Sequence, residues 1–516
     1  MSTREAPPVA RITSRFHHGF RIEQQRLAAS VSGLDDDASR ERYASLLLDR
    51  LMFVFFVQAK GFLDGDPSYM QTKLAASRSE GPDRYFRRYL LPLFSDGLGA
   101  LRDARSPEVT ERIGDVPFLG ARLFEPLPVE RDHPELAVSD AAFAALYAFL
   151  GSYRWRLDER QLDDPGTEGE ITPAVLGAVL ERQVNREQMG AYYTRRDVTE
   201  HMAATAILPR LLAMVAHDVR AAAHLGSFPT PAECIRDNVD LRRLLPEAIG
   251  RSEDARFAAA VYDAVSCITV LDPACGSGAF LFAAMNVLAP AYTACLRRLG
   301  TTAAQPNLAY TVRKQIATQN LYGIDIMDEA VEICKLGLFL QLIACAERAE
   351  DFEPLPELGF NLRTANALTG FDWDGAFGAV SKRGGFDVVI GNPPYVTYPS
   401  VKAPYAVPSG AYRTLPAKNL YALMFERALQ LVTGDGIVSF VVPLTVTSSE
   451  RAAPLQRLLV ARGPVFYASF PRRPRSVFEG VEMPVAIVTS LHGESGRLNS
   501  TRVVRFTAAE RDGLME

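Results

Sequence analysis

The residues best placed by type and spacing to do chemistry are Asn392-Pro393-Pro394-Tyr395, which follow the apolar run Phe386–Ile390 and Gly391. An asparagine side chain offers a carbonyl oxygen that accepts hydrogen bonds without carrying a full charge. Consecutive prolines fix φ and remove two backbone donors, so the loop is stiff and the Pro393 carbonyl is held in place. Two acceptors on a rigid loop suit a nitrogen that carries two hydrogens. The exocyclic nitrogen of adenine is a poor nucleophile, because its lone pair is delocalised into the ring. Acceptors on both hydrogens favour the tetrahedral nitrogen, and they strengthen as positive charge builds on it. Tyr395 adds a flat face for stacking, and a base in a duplex reaches such a loop only after being flipped out. Without chemistry, the same tetrapeptide reads as a rigid turn before a core tyrosine.

A second constellation lies upstream in Ile268-Thr269-Val270-Leu271-Asp272-Pro273-Ala274-Cys275-Gly276-Ser277-Gly278-Ala279-Phe280. An apolar run ends on an acid, and a turn of small residues opens a helical pattern over Ala279–Leu288. Glycine at 276 and 278 permits backbone angles closed to other residues and a near approach by a ligand. A plain strand–helix turn or a dinucleotide site also uses Gly-x-Gly. The full string lacks the third glycine of the dinucleotide fingerprint, which favours a methyl-donor site. Asp325 ends a second apolar run, Leu321–Ile324. Its carboxylate can accept both hydroxyls of a ribose, with Ile326 against an adenine ring and Asn366 at the adenine edge. Strand-end aspartates also cap helices and asparagines also make turns, so both readings stay open here.

Such loops need strands to hold them. After residue 164, short apolar runs alternate with helical patterns: Ile268–Leu271, Leu321–Ile324, Phe386–Ile390, Gly436–Val442, Val465–Phe470 and Val485–Thr489. That alternation predicts an α/β fold, with a parallel or mostly parallel sheet and helices on both faces. Both loops then lie beyond the carboxyl ends of strands, where such sheets bind ligands. The first part reads as helical instead, with helical periodicity over Ala38–Ala59 and Ala141–Leu150. The expected domains are residues 1–164, helical; 165–495, catalytic; and 496–516, a polar tail or the start of a recognition domain.

At 516 residues, with 48% hydrophobic and 23% charged, the chain has room for two or three globular domains. A net charge of −5 excludes a uniformly basic nucleic-acid coat but not a local basic stripe. Candidates for phosphate contact are Arg472 and Arg473, with Lys402, Arg413 and Lys418 in the polar loop after Tyr395. Each also reads as solvated surface; together they would give binding a salt-dependent, sequence-independent share. Six cysteines without CxxC spacing suggest neither a metal site nor a disulfide framework. The start lacks a signal-peptide core, and the early run Leu51–Val57 is too short to cross a bilayer. A cytoplasmic protein without a membrane partner is expected.

Together these motifs resemble those of the Asn-Pro-Pro-Tyr N6-adenine DNA methyltransferases. They resemble in particular the methylase part of type IIG restriction–modification and phage-defence (BREX- or DISARM-like) enzymes. The resemblance implies a Rossmann-like S-adenosylmethionine-dependent methyltransferase sheet preceded by an α-helical domain. It further implies S-adenosylmethionine as cofactor and methylation of a flipped-out adenine in double-stranded DNA. Asn392, Pro393, Pro394 and Tyr395 take the catalytic role. Asp272, Pro273, Ala274, Cys275, Gly276, Gly278, Phe280, Asp325, Ile326 and Asn366 take the cofactor role. Gly190-Ala191-Tyr192-Tyr193-Thr194 resembles the segment that closes over the methionine end of the cofactor, which implicates Tyr193 and Thr194. Phe478 falls where the family places an aromatic that sandwiches the base with Tyr395, although a core phenylalanine reads equally well.

Two departures bear on function. No Asp…Glu-x-Lys nuclease constellation precedes the connector-like segment Leu51–Gly65, and Gln58-Ala59-Lys60 sits in an apolar helical pattern that reads as packing. Cleavage of DNA by this chain is not expected. No long segment follows the catalytic part, so target recognition is expected to need a further domain or a specificity or defence-system subunit. Two other functions stay open. Protein glutamine-N5 methylation uses the same tetrapeptide on an amide nitrogen; the helical first part and the long insert between Asp272 and Asp325 weigh against it. Non-catalytic DNA binding within a defence complex is weighed against by the intact tetrapeptide and glycine loop.

Overall fold

Eight strands form the large sheet and are numbered in chain order: β1 Val270–Asp272, β2 Leu321–Asp325, β3 Leu362–Thr364, β4 Phe386–Gly391, β5 Val432–Pro443, β6 Val465–Phe470, β7 Val485–Ser490 and β8 Leu498–Ser500. The computed structural model of the chain describes residues 8–120, 122–157, 169–173, 175–177, 179, 194–216, 228–300, 307–346, 348, 355–399, 406–472, 483–494 and 496–502. Across the sheet the order is β8-β6-β7-β5-β4-β1-β2-β3. β7 runs antiparallel to both neighbours, and the other pairings are parallel. The fold is therefore the expected α/β class with a mostly parallel sheet. The chain moves outward through β1, β2 and β3, then returns to lay β4 against the other side of β1. Right-handed crossovers running in opposite directions put their helices on opposite faces. The reversal leaves a crevice beyond the carboxyl ends of β1 and β4, the usual ligand position in such sheets.

Strands covered on both faces need continuous apolar runs. Every residue of β1, β4 and β7 is buried. β3 and β8 escaped the sequence reading because they are three-residue edge strands, half exposed, with no apolar run to mark them. β8 pairs with β6 inside the stretch that reads as a polar tail. The helix after the glycine loop, Ala279–Arg298, runs ten residues past its expected end and through Pro290. Burial of its apolar side chains outweighs the local cost of an internal proline. It is long and apolar enough by composition to cross a bilayer, yet most of it is buried within the fold. The helix Arg196–Ala216 packs against it and against β4 and β5.

The chain divides into two compact units, residues 1–183 with 336–357, and residues 184–335 with 358–516. The sheet belongs to the second. The first is built on helices, among them Pro8–Ser30, Asp37–Ala59 and Asp140–Gly151. Asp36 and Ser139 cap the latter two with side-chain bonds to the backbone of Ser39 and Ala142. Residues Leu51–Gln58 are buried on every side of their helix. Gln58 accepts from the Met70 N–H at 3.0 Å, and Lys60 donates to the carbonyls of Ala344 and Ala346 at 2.9 and 2.7 Å. Both side chains of Gln58-Ala59-Lys60 thus serve packing and capping.

Candidate active site

The glycine loop leaves β1 at Asp272, whose side chain is 1% exposed. One carboxylate oxygen accepts from the Ala274 N–H at 3.1 Å. Gly276 and Gly278 both have positive φ, 51° and 93°, and Gly278 caps the helix Ala279–Arg298. Only glycine adopts such angles without strain. A Cβ on Gly278 would also lie 2.6 Å from the Cys334 sulfur, whereas one on Gly276 would meet no described atom within 4 Å. Gly276 therefore opens onto space. The loop is tied to the end of β2: Asp325 accepts from the N–H groups of Gly276 at 2.9 Å and Met327 at 3.0 Å, and the Cys275 N–H donates to the Ile324 carbonyl at 2.9 Å. Each Asp325 oxygen has two lone pairs, so one bond on each leaves capacity for a diol.

Burial dominates the electrostatics of these two acids. It pushes the Asp272 carboxyl up to about 8, opposed by the Ala274 N–H and assisted by the charge of Asp325. Burial raises Asp325 as well, opposed by the N–H groups of Met327 and Gly276. Two carboxyls whose ionisation is opposed by burial, beside an open glycine turn, suit a cationic ligand that favours their charged form. Cys275 is buried with its thiol pushed well above the ordinary range by a hydrogen bond with Cys334 and by burial, so it stays neutral. Ile326 is 36% exposed, directly after Asp325. The Ala365 N–H bonds the Asp325 carbonyl at 2.8 Å, which brings the Asn366 turn beside β2. The Asn366 side-chain oxygen accepts from the Leu368 N–H at 2.9 Å, so its turn-forming role is present. Pro273 and Phe280 are buried and Ala274 half-buried.

The Asn392 loop leaves β4 next to this pocket. A Cβ on Gly391 would lie 2.6 Å from a carboxylate oxygen of Asp272. The residue before Asn392 therefore touches the acid that starts the glycine loop, and only glycine lets β4 approach so closely. The Asn392 amide nitrogen donates to the Thr194 hydroxyl at 3.0 Å, and its side-chain oxygen is buried. Pro393 is buried and Pro394 half-buried. The half-buried Tyr395 donates its hydroxyl to the Val441 carbonyl of β5 at 3.1 Å and packs on the core beneath. That tether holds the far end of its ring in place.

The chain beyond Tyr395 is folded back on its own exit. Thr397 bridges Asn419, and the Tyr398 N–H donates to the Lys418 carbonyl at 2.9 Å. Lys418, exposed and with φ of 53°, thus stands beside the outgoing strand of the loop. Buried Glu426 accepts from the Arg413 and Thr414 N–H groups at 3.0 and 2.8 Å, and from the Thr414 hydroxyl at 2.8 Å. Arg413 is exposed on this braced turn. Arg472 is exposed just past β6, which is parallel to β5 through the antiparallel β7, so it leaves the sheet at the same edge as Asn392. Tyr193, Lys402, Arg473 and Phe478 lie outside the described residues.

Sequence reasoning gave no role to Arg210, Asp387, Gly391 or Glu426. Asp387 is a buried acid inside the otherwise apolar β4. Arg210 donates to one of its oxygens at 2.8 and 3.2 Å, and the Thr269 N–H and hydroxyl donate to the other at 3.0 and 3.1 Å. The signal was present, since an acid within a buried strand requires a partner. Its partner, 177 residues away, was not readable.

Comparison with known proteins agrees with this architecture. Residues 319–462 match the Eco57I restriction-modification methylase family. That match includes β2, β4 and the Asn392 loop. A protein of Methanocaldococcus jannaschii, named among type II restriction enzymes and methyltransferases as RM.MjaORFECS2P, is 27% identical over 349 residues, covering 65% of this chain and 28% of its own length. The type II restriction enzyme and methyltransferase RM.Eco57I of Escherichia coli is 25% identical over 219 residues, covering 36% of this chain and 21% of its own. The chain thus spans about a quarter of the length of these curated relatives. Among solved structures, the type IIL restriction–modification enzyme MmeI in complex with DNA superposes with a TM-score of 0.61 at 17% identity, covering 97% of this chain and 59% of that one. At that identity the likeness is one of fold.

Proposed function

We propose that the chain is an S-adenosylmethionine-dependent DNA methyltransferase of a restriction–modification system, and that it methylates the N6 of a flipped-out adenine. The observation that carries this reading is the contact of Gly391 with Asp272, by which the Asn392 loop begins beside the glycine loop. Supporting it are the match of residues 319–462 to restriction-modification methylases and the fold shared with an enzyme solved on DNA.

The donor set fits the cofactor. Gly276 provides an open cradle, Asp325 retains lone pairs for ribose hydroxyls, Ile326 offers an apolar surface, and Asn366 offers an amide donor to the adenine. Asp272 provides an acid that a nearby cation would ionise. When bound, S-adenosylmethionine supplies an electrophilic methyl group. The work of the chain is to present the nucleophile. Tyr395, its far end held by the bond to Val441, stacks the extruded base. The Asn392 side-chain oxygen and the Pro393 carbonyl accept the two amino hydrogens and favour a tetrahedral nitrogen. One of these acceptors holds the amino proton as it becomes acidic, and water takes it afterwards. Lys418, Arg413 and Arg472 supply sequence-independent phosphate contacts.

Labelled cofactor, duplex DNA and the full chain, with and without its neighbouring gene products, test this reading. The label should appear in N6-methyladenine after digestion to nucleosides. Label in another base, or in protein glutamine, would overturn it.

A further inference from the structure

A carboxylate taken out of water costs free energy unless hydrogen-bond donors meet it, whereas a turn on the surface can give its N–H groups to water. Glu426, 5% exposed on the helix Leu420–Leu431, joins the two. One of its oxygens accepts from the Arg413 N–H at 3.0 Å and the other from the Thr414 N–H at 2.8 Å. The Thr414 hydroxyl lies 2.8 Å from that second oxygen. Around this junction Tyr412, Thr414 and Ala417 are buried, while Arg413 and Lys418 are exposed. The short helix Leu415–Ala417 follows Thr414, whose carbonyl accepts the Ala417 N–H at 2.9 Å, and Lys418 ends it. A second bolt lies just before, where the Tyr412 hydroxyl donates to the Leu368 carbonyl at 2.7 Å and accepts from Arg427 at 2.9 Å.

We propose that Glu426 is a positioning residue for DNA, holding the turn 413–418 in the shape in which Arg413 and Lys418 meet the phosphate backbone; this rests on the methyltransferase reading above. The gain is preorganisation, because a basic side chain on a fixed turn binds without first ordering its backbone. The residue type follows from the geometry. Each carboxylate oxygen faces a different backbone N–H, so an acceptor is needed at both ends. A glutamine of the same shape has an acceptor at one end and a donor at the other, and must set N–H against N–H at one of them. The acid itself carries the wrong charge for DNA. Buried, it acts through Arg413 and Lys418 and touches no phosphate.

The test uses the full chain with Glu426→Gln, which removes a negative charge and keeps the shape. By net charge alone, affinity for DNA should rise. The proposal expects the reverse: affinity for a labelled mixed-sequence duplex about tenfold lower, with the slope of log affinity against log salt reduced by about one. Cofactor affinity should stay within about twofold, and the single-turnover methylation rate at saturating DNA within about threefold. Arg413→Ala should cost about tenfold in the wild-type chain but less than about twofold once Glu426 is glutamine, because a released turn no longer presents Arg413. If Glu426→Gln does not fold, Tyr412→Phe frees the same turn from its other bolt and takes its place in the cycle. Unchanged or higher DNA affinity in the glutamine variant overturns the proposal. So does a full cost of Arg413→Ala in both backgrounds, which would leave Glu426 a matter of stability alone. A chain that methylates adenine in duplex DNA while its affinity ignores Arg413 and Glu426 keeps the functional reading and loses this one. A chain that binds DNA with the expected changes yet methylates nothing does the opposite.

Discussion

The two loops at the crevice are held in opposite ways. The glycine loop is fastened from within the sheet: Asp272 bonds its own turn, and Asp325, at the end of the next strand, holds Gly276. The Asn392 loop is fastened from outside its own strand, by Thr194 ahead of a helix and by Val441 on β5. They meet where Gly391 lies against Asp272. The glycine loop has its carboxylates placed by local backbone bonds, which on the proposed function suits receipt of a charged cofactor. The Asn392 loop takes its position from distant parts of the chain, which on the same proposal suits presentation of two acceptors. Damage to the first should therefore appear as lost cofactor affinity, and damage to the second as lost rate.

The largest expected effect is on the base of the second loop. Arg210→Met leaves buried Asp387 with its two Thr269 bonds and the longer ion pair to Arg383 at 3.6 Å, and unfolding of the second unit should become easier by about 3 kcal/mol, read by denaturant titration. Adding Asp387→Asn should recover part of that loss. If Arg210→Met is neutral, β4 is not anchored through this pair. Gly391→Ala drives a Cβ into Asp272 at the junction of the loops. It should lower the methyl-transfer rate about a hundredfold and also weaken the cofactor, because one methyl disturbs both sides. An effect confined to one of the two parameters would show that the loops are not in register there.

pH separates the loops further. Asp272, pushed up to about 8 by burial, is protonated at neutrality in the cofactor-free protein. A cationic ligand favours its ionised form, so cofactor affinity should rise with pH by up to about tenfold per unit and level off above about 8. Binding near pH 7 should release a proton, measurable by titration calorimetry in buffers of different ionisation heat. Asp272→Asn should flatten the profile. The sign for stability is the reverse. A carboxyl raised above its unfolded value contributes most below the ordinary carboxylate range, and that contribution is lost as pH rises through about 8. The smallest effect belongs to Tyr395→Phe, which keeps the ring and removes its bond to Val441. The rate should fall about threefold to tenfold, in line with one neutral hydrogen bond, with cofactor affinity unchanged.

The same contrast explains what was legible in the sequence. Asp272, Gly276, Gly278 and Asp325 act within a turn or across one strand, and their roles follow from residue type and local order. Six strands announce themselves as apolar runs, since a covered sheet demands them. The edge strands Leu362–Thr364 and Leu498–Ser500 do not, because pairing by backbone alone leaves no pattern in the side chains. Asn392 is recognisable as an amide on a rigid loop, but its hydrogen bond to Thr194 spans 198 residues, and sequence spacing carries no trace of it. The expected reach of the helix after the glycine loop stopped before Pro290 because local propensity was weighed without the packing that overrides it.

The most direct test compares Asn392→Ala with the wild-type chain in one preparation, reading both cofactor affinity and methyl transfer to duplex DNA. The expected result is cofactor binding within about twofold of wild type and a methylation rate lower by about a thousandfold or more, as for loss of a principal electrostatic group. Substantial methylation by the alanine variant, or cofactor binding lost in proportion to rate, would contradict the division of labour between the two loops.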